Sequence, residues 1–239
     1  RWLSDWSSDV CSSDLVDMDH IAESNVNRQV HALDVTLGQS KVAAMRERML
    51  SINPDAQVVV IDDFVAADNW LQIVDAATVQ CGALSAVIDA CDQMAAKTTV
   101  AAWALERRVP LAVVGAAGGK RHAHRVEVDD LHQCTHDPLL AQLRYRLRKH
   151  HQAARTGRIG VTCVFSREPV AAPDASCLVD GDGSLNCHGY GSSVAVTGTF
   201  GLAAAGWVME RLATVHRQET AGTKAEKVQA ARESRKLTL

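Results

Sequence analysis

QVVVIDDFVAADNWLQIVDAATVQCGALSAVIDACD, residues 57–92, places two short apolar runs on either side of a segment with helical spacing. The run QVVVI at 57–61 is rich in β-branched residues and too short for a buried helix, so it is predicted to be a strand. Residues 67–80 are predicted to be helical, and AVIDA at 86–90 reads as a second buried strand. Two apolar strands joined by a helix of about a dozen residues form a crossover, which makes the strands parallel.

The pattern continues in both directions. Downstream, residues 94–107 have helical spacing, and Pro110 introduces the apolar strand 111–114. Upstream, residues 15–17 read as the end of a buried strand. Residues 37–50 carry Val42, Met45 and Met49 at helical spacing, and Asn53-Pro54 stops that helix. The expected fold is therefore α/β, a doubly wound, Rossmann-like, mostly parallel sheet.

The second half changes character. A strand at 125–128, a basic helix at 138–151 and a strand at 160–165 are expected, then a Gly-, Asp- and Ser-rich loop at about 172–192 and a helix of small residues at 201–214. These form a C-terminal α/β elaboration. Residues 217–239 are polar and expected to form a frayed tail. At the other end, RWLSDWSSDVCSSD (1–14) has no apolar period and resembles a translated sequencing adapter. It is set outside the fold as non-native or disordered, leaving 15–216 as one domain.

Composition excludes several classes. A chain of 239 residues with 47% hydrophobic and 22% charged residues is ordinary for a globular α/β protein. Its net charge of −3 gives no global attraction to nucleic acid, so any RNA contact needs a local basic patch. Seven scattered cysteines with no Cys-x-x-Cys pair argue against a disulfide framework and a zinc knot, and for a reducing, cytoplasmic setting. The uncharged stretch 187–209 is broken by glycines and reads as a turn and a buried helix rather than a membrane span.

Asp17 ends the first strand, where nucleotide folds place a carboxylate for ribose hydroxyls. Asn25, Arg28 and Lys41 follow it, and Asp92 closes a second strand–loop unit in DACD. Two cations, a carboxylate for ribose and a hard oxygen ligand for Mg²⁺ are the parts that phosphoryl or adenylyl transfer needs. Each residue also has a plainer reading, as a helix cap, a turn residue or a solvated face.

The stretch DMDHIAESNVNRQVHALDVTLGQSK (17–41) resembles the signature of the ubiquitin-activating-enzyme-like (ThiF/MoeB/HesA) superfamily, with Asp-x-Asp, Asn-x-x-Arg-Gln and Gly-x-x-Lys at this spacing. The likeness implies an adenylating domain. Asp17, with Asp19, would serve ATP binding, Asn25, Arg28 and Lys41 would meet the phosphates, and Asp92 would hold Mg²⁺. Arg28, Lys41 and Asp92 are then the candidate catalytic residues. NRQVHAL (27–33), DDFV (62–65), VVGAAGGK (113–120), VTCVFSREP (161–169) and the Asn186-Cys187-x-Gly-x-Gly segment resemble the tRNA threonylcarbamoyladenosine dehydratase branch. The absent zinc cysteines separate the chain from sulfur-carrier-activating relatives.

That branch implies ATP-dependent cyclisation of threonylcarbamoyladenosine in tRNA through an acyl-adenylate. The modification's own carbamoyl group attacks and AMP leaves. It also implies a homodimer and a possible sulfur-transfer partner. Two alternatives stand beside it: adenylation of a sulfur-carrier or ubiquitin-like protein, with Cys187 as acceptor thiol, and a silent fragment that only binds nucleotide or partner. The family pattern begins with a strand and Gly-rich turn before Asp17, which residues 1–14 do not supply. The expectation is that the chain as written is inactive and exposes an apolar sheet edge.

Several features invite other readings. Gly115-Ala-Ala-Gly-Gly-Lys120 is one residue short of a P-loop, and Arg121 stands where Ser or Thr belongs. His122 and His124 are expected to face solvent from a strand. Arg144, Arg148 and Lys149 on the basic helix are candidate tRNA contacts, weighed equally against a solvated basic face.

Overall fold

The computed structural model describes residues 12–170 and 191–214. Among the described residues six strands, β1 (Ser12–Val16), β2 (Gln57–Ile61), β3 (Val87–Asp89), β4 (Leu111–Val114), β5 (Val126–Asp130) and β6 (Thr162–Ser166), alternate with helices. The helices are α1 (Lys41–Ile52), α2 (Trp70–Cys81), α3 (Met94–Arg107), α4 (Pro138–His150) and α5 (residues 194–214).

The strands fall into two sheets. β1 pairs in parallel with β2, Ser12 opposite Gln57 and Val16 opposite Ile61. The larger sheet runs β3-β4-β6-β5; β3, β4 and β6 are parallel and β5 is antiparallel to β6. β1 and β3 are thus both edge strands among the described residues. Side chains alternate across the larger sheet as the pleat requires. Leu111, Val113, Cys163 and Phe165 point into a core with Val100, Ala104, Leu140, Leu143 and Leu147 from α3 and α4. Ala112 and Val164 point the other way, against Val196, Phe200 and Ala204 of α5. Val16, Ile61 and Val87 pack on the first of these cores, so both sheets share it.

Three local devices set the ends of these elements. Asp137 caps α4 by accepting from Leu140 N at 3.0 Å, and Pro138 occupies the first turn, where a missing N–H costs nothing. Buried Asp130 accepts from His132 N, Ile159 N and Gly160 N at 2.9, 2.9 and 2.7 Å, tying the turn after β5 to the approach of β6. Gly115 leaves β4 beside Asp137, where an added Cβ would stand 2.2 Å from Asp137 Oδ2.

The mostly parallel α/β fold expected from the sequence is observed, with differences at element ends. Ser12, Ser13 and Asp14, set outside the fold on their polarity, form the start of β1. A strand pairs through its backbone, and serine side chains do not prevent this. The last helix begins at 194 rather than 201, because Val196 and Phe200 bury against β4 and β6 despite the intervening glycines. His122 caps and His124 lies within a single 3₁₀ turn, Ala123–Arg125, ahead of β5 rather than on a strand. No helix among the described residues is long and apolar enough to cross a membrane. The loop expected at about 172–192 falls outside the described residues up to 190, Cys187 included, as do the tail at 217–239 and residues 1–11.

Candidate functional site

The chain leaves β1 at Asp17 and does not enter α1 until Lys41. This connection folds back on itself. Asp17 Oδ1 accepts from Asp19 N at 2.8 Å, closing a tight turn at the strand end. His20 then bridges antiparallel to Ser40, Ile21 N donates to Gln39 O at 2.8 Å and Gly38 N to Ile21 O at 2.9 Å. Gly38 takes φ 79°, a left-handed geometry that glycine adopts without cost. The result brings Lys41 Nζ to 2.6 Å from Asp19 Oδ2, with the lysine side chain 14% exposed and the aspartate 58%. Ile21, Ala32 and Ala44 anchor the excursion on α1.

Asn25 is buried within a single 3₁₀ turn, and its Oδ1 accepts from Ala22 N at 3.0 Å. Its carbonyl accepts from Arg28 N and Gln29 N. Arg28 Nη1 reaches Ser24 O and Asn27 Oδ1, which leaves the other guanidinium nitrogens to meet a ligand. The structure therefore brings Asp17, Asp19 and Lys41 together and sets Asn25 and Arg28 as a second group on the same connection.

Asp92 is exposed on the loop after β3. Its carboxylate has no hydrogen bond or ion pair among the described residues, and it makes none with Asp17, Asp19 or Lys41. The loop is held from beneath. Asp89 Oδ1 accepts from Cys91 N at 3.0 Å, and Asp89 Oδ2 pairs with buried Lys97 Nζ at 3.0 Å. Lys97 also donates to Val114 O at 3.2 Å, joining the C-terminal ends of β3 and β4. Burial, with the Asp89 charge beside it, pushes the Cys91 thiol up to about 12, so it is no thiolate at neutral pH.

Two features went unread in the sequence. Lys97 looks like a solvated helix residue in a single chain, and only the packing of α3 on the sheet shows it to be fully buried. His31 feels the charges of both Lys41 and Asp17. Burial first, and Lys41 second, lower its pKa against the pull of Asp17, which keeps the ring neutral. Both His31 ring nitrogens, Gln29 Oε1 and Ser40 Oγ are enclosed without a hydrogen-bond partner among the described residues. Enclosed polar groups almost always find partners, so these four atoms, all within residues 17–41, are candidates to meet a polar ligand.

The remaining candidates are placed differently. Lys120 is buried and gives its ammonium to His136 O, Ser166 O and Glu168 O at 2.9, 2.8 and 2.8 Å, so the glycine segment before it is a turn with a structural lysine, not a phosphate cradle. Arg144 donates to Leu131 O and Cys134 O, and Arg148 to Ala154 O, so both guanidiniums serve the fold. Lys149 is exposed over the ring of Tyr145. No group of three or more His, Cys, Asp or Glu side chains among the described residues is arranged to hold a metal ion.

Mostly parallel strands alternating with helices define a Rossmann-like α/β protein. The chain belongs to the ThiF family, whose model matches residues 11–236, in its tRNA threonylcarbamoyladenosine dehydratase branch. It is 35% identical to the tRNA threonylcarbamoyladenosine dehydratase of Escherichia coli (strain K12), over 83% of this chain and 75% of that protein. It is 31% identical to the enzyme of the same name from Haemophilus influenzae, with the same coverages. The crystal structure of the E. coli dehydratase in complex with ATP matches with a TM-score of 0.73 at 35% identity, over 87% of this chain and 78% of that one. The AMP complex matches equally well, with a TM-score of 0.73.

Proposed function

We propose that the chain acts in the ATP-dependent dehydration of threonylcarbamoyladenosine in tRNA. The observation that carries this reading is the connection from Asp17 to Lys41. It carries an aspartate, two cations and four unpartnered polar atoms within residues 17–41, in a chain 35% identical to a dehydratase seen with ATP bound.

The residues present fit a nucleotide. Asp17 Oδ1 is occupied by Asp19 N, which leaves Oδ2 to accept from a ribose hydroxyl. Lys41 and Arg28 supply positive charge for the phosphates, and Asn25 keeps its Nδ2 to donate once its oxygen has closed the turn. Neutral His31 offers one donor and one acceptor. One carboxylate, Asp92, together with phosphate oxygens suits Mg²⁺, which keeps most of its water and takes few protein ligands. The substrate carboxylate would attack the α-phosphorus of ATP and release pyrophosphate, which turns it into an electrophilic acyl-adenylate. The carbamoyl group of the same nucleoside then attacks the acyl carbon, losing a proton and expelling AMP, and proximity replaces a protein nucleophile. Magnesium dependence and a homodimer belong to the same reading.

The test is direct. The chain is incubated with ATP, Mg²⁺ and tRNA carrying threonylcarbamoyladenosine, and the nucleoside is followed by mass spectrometry. The expected product is lighter by one water. An unchanged nucleoside under conditions where ATP binds overturns the reading. Light scattering of the pure chain checks the dimer.

A further inference from the structure

The net negative chain carries a compact basic turn next to the candidate site. Arg121, His122, His124 and Arg125 are all exposed within residues 121–125. The turn is mounted rigidly. Glu168 Oε2 accepts from Arg121 N at 3.0 Å and from His122 N at 2.9 Å, while Lys120 beneath it holds three carbonyls. The nearby acids are already engaged: Glu168 takes these two N–H groups and stands 3.8 Å from His122 Nε2, and Glu127 pairs with Arg167 at 2.8 Å. Neither the Arg121 nor the Arg125 guanidinium has a hydrogen bond or ion pair among the described residues. The His122 and His124 rings lie 5.4 Å apart, presenting two aromatic faces beside these cations.

Position connects the turn to the site. Gly119 N donates to Gly191 O at 3.1 Å, and Asn27 Nδ2 donates to Ser192 O at 3.2 Å. Residues 191–192 thus join the connection after β1, which carries Arg28, to the segment that leads into the basic turn. The basic end of α4 is at the opposite end of the sheet. α4 starts at Asp137, whose Oδ2 holds Ala116 N just past β4, and it runs back toward the strand N-termini. Lys149 is therefore roughly 18 Å from that start, at about 1.5 Å per helical residue, and Arg155 follows just past the helix end.

We propose that residues 121–125 grip the phosphodiester backbone of the RNA substrate, with Arg121 and Arg125 on phosphates and the two histidines against an unpaired base. Rigidly mounted cations with interleaved aromatic rings are what single-stranded loops of RNA bind. The inference rests on the tRNA reading above and adds where the RNA lies.

The experiment measures binding of a fluorescein-labelled anticodon stem–loop RNA to the full chain by anisotropy across a salt series. Arg121→Ala/Arg125→Ala is expected to weaken binding on the order of tenfold and to lower the slope of log affinity against log salt by about 1.5, at about 0.7 to 0.9 per lost phosphate contact. Lys149→Ala/Arg155→Ala is expected to bind as the parent chain does. ATP affinity and melting temperature, unchanged in both pairs, show that the fold is intact. RNA binding that survives the turn variant, or that is lost only in the α4 variant, overturns this proposal alone and leaves the turn's cations to an acidic protein surface. Failure of the parent chain to bind RNA overturns it together with the tRNA reading.

Discussion

Lys97 Nζ stands 3.0 Å from Asp89 Oδ2 with the two side chains 0% and 4% exposed, a closed ion pair beneath the loop that carries Asp92. Such a pair contributes little over a well-packed apolar pair, but removing one partner strands the other charge in the interior. Lys97→Met is expected to cost about 3–5 kcal/mol in urea unfolding. Lys97→Met/Asp89→Asn should recover most of that loss, because the asparagine oxygen still accepts from Cys91 N. A single variant as stable as the parent chain would show that the pair does not hold the loop.

The candidate site should separate stability from chemistry. The Lys41–Asp19 pair is half open to water, and pairs of this kind are worth roughly 0–1 kcal/mol. Lys41→Met is therefore expected to unfold near the parent midpoint. Loss of a cation aimed at transferring phosphate should lower ATP-dependent turnover by about a hundredfold or more. Equal losses in stability and turnover would make Lys41 a structural residue.

Acid should weaken the fold through particular carboxylates. Burial raises the Asp130 carboxyl, but the N–H groups of Ile159, His132 and Gly160 outweigh it and hold the group below its ordinary value. Glu168 behaves alike, with the N–H groups of His122 and Arg121 outweighing burial. A depressed folded value means that the stabilisation is complete above the unfolded carboxylate range, about pH 4, and is lost as pH falls through the folded value. Asp137 has the opposite sign. Burial raises it despite its backbone N–H partners, so its stabilisation is complete below the unfolded value and lost as pH rises through the folded one. Asp130→Asn is expected to cost about 2–4 kcal/mol at pH 7, with the gap to the parent chain closing on acidification. A gap constant with pH, read from urea midpoints, would exclude the charge as its cause.

How far the sequence disclosed this protein depended on periodicity. QVVVI and LAVV are short, apolar and flanked by breakers, and the structure places strands at Gln57–Ile61 and Leu111–Val114 without adjustment. Ser12–Asp14 was missed because its pairing is made by backbone alone, to which side-chain patterns are blind. Asp17, Asp19 and Lys41 were legible as a motif, and the structure brings them together. The uses of Arg144, Arg148 and Lys120 were not, since a cation given to backbone carbonyls looks the same in a sequence as one facing a phosphate. Gly115 belongs to the same class. Its φ is not in the left-handed region, and what excludes a side chain there is Asp137, distant in sequence.

The last prediction uses that ambiguity. Were the lysine of GAAGGK a phosphate ligand, replacing it would abolish nucleotide binding and leave the fold intact. In the structure its ammonium instead satisfies the carbonyls of His136, Ser166 and Glu168, tying the approach to α4 to the chain after β6. Lys120→Met leaves three buried acceptors without a donor, each costing about 1–3 kcal/mol, tempered where water can enter. The expected outcome is a fold weaker by about 3 kcal/mol whose remaining native population binds ATP within about twofold of the parent affinity. Thermal unfolding with and without ATP measures both quantities on one sample. A parent-like melting temperature with no stabilisation by ATP would return Lys120 to the nucleotide and remove the rigid mount beneath Arg121 and His122.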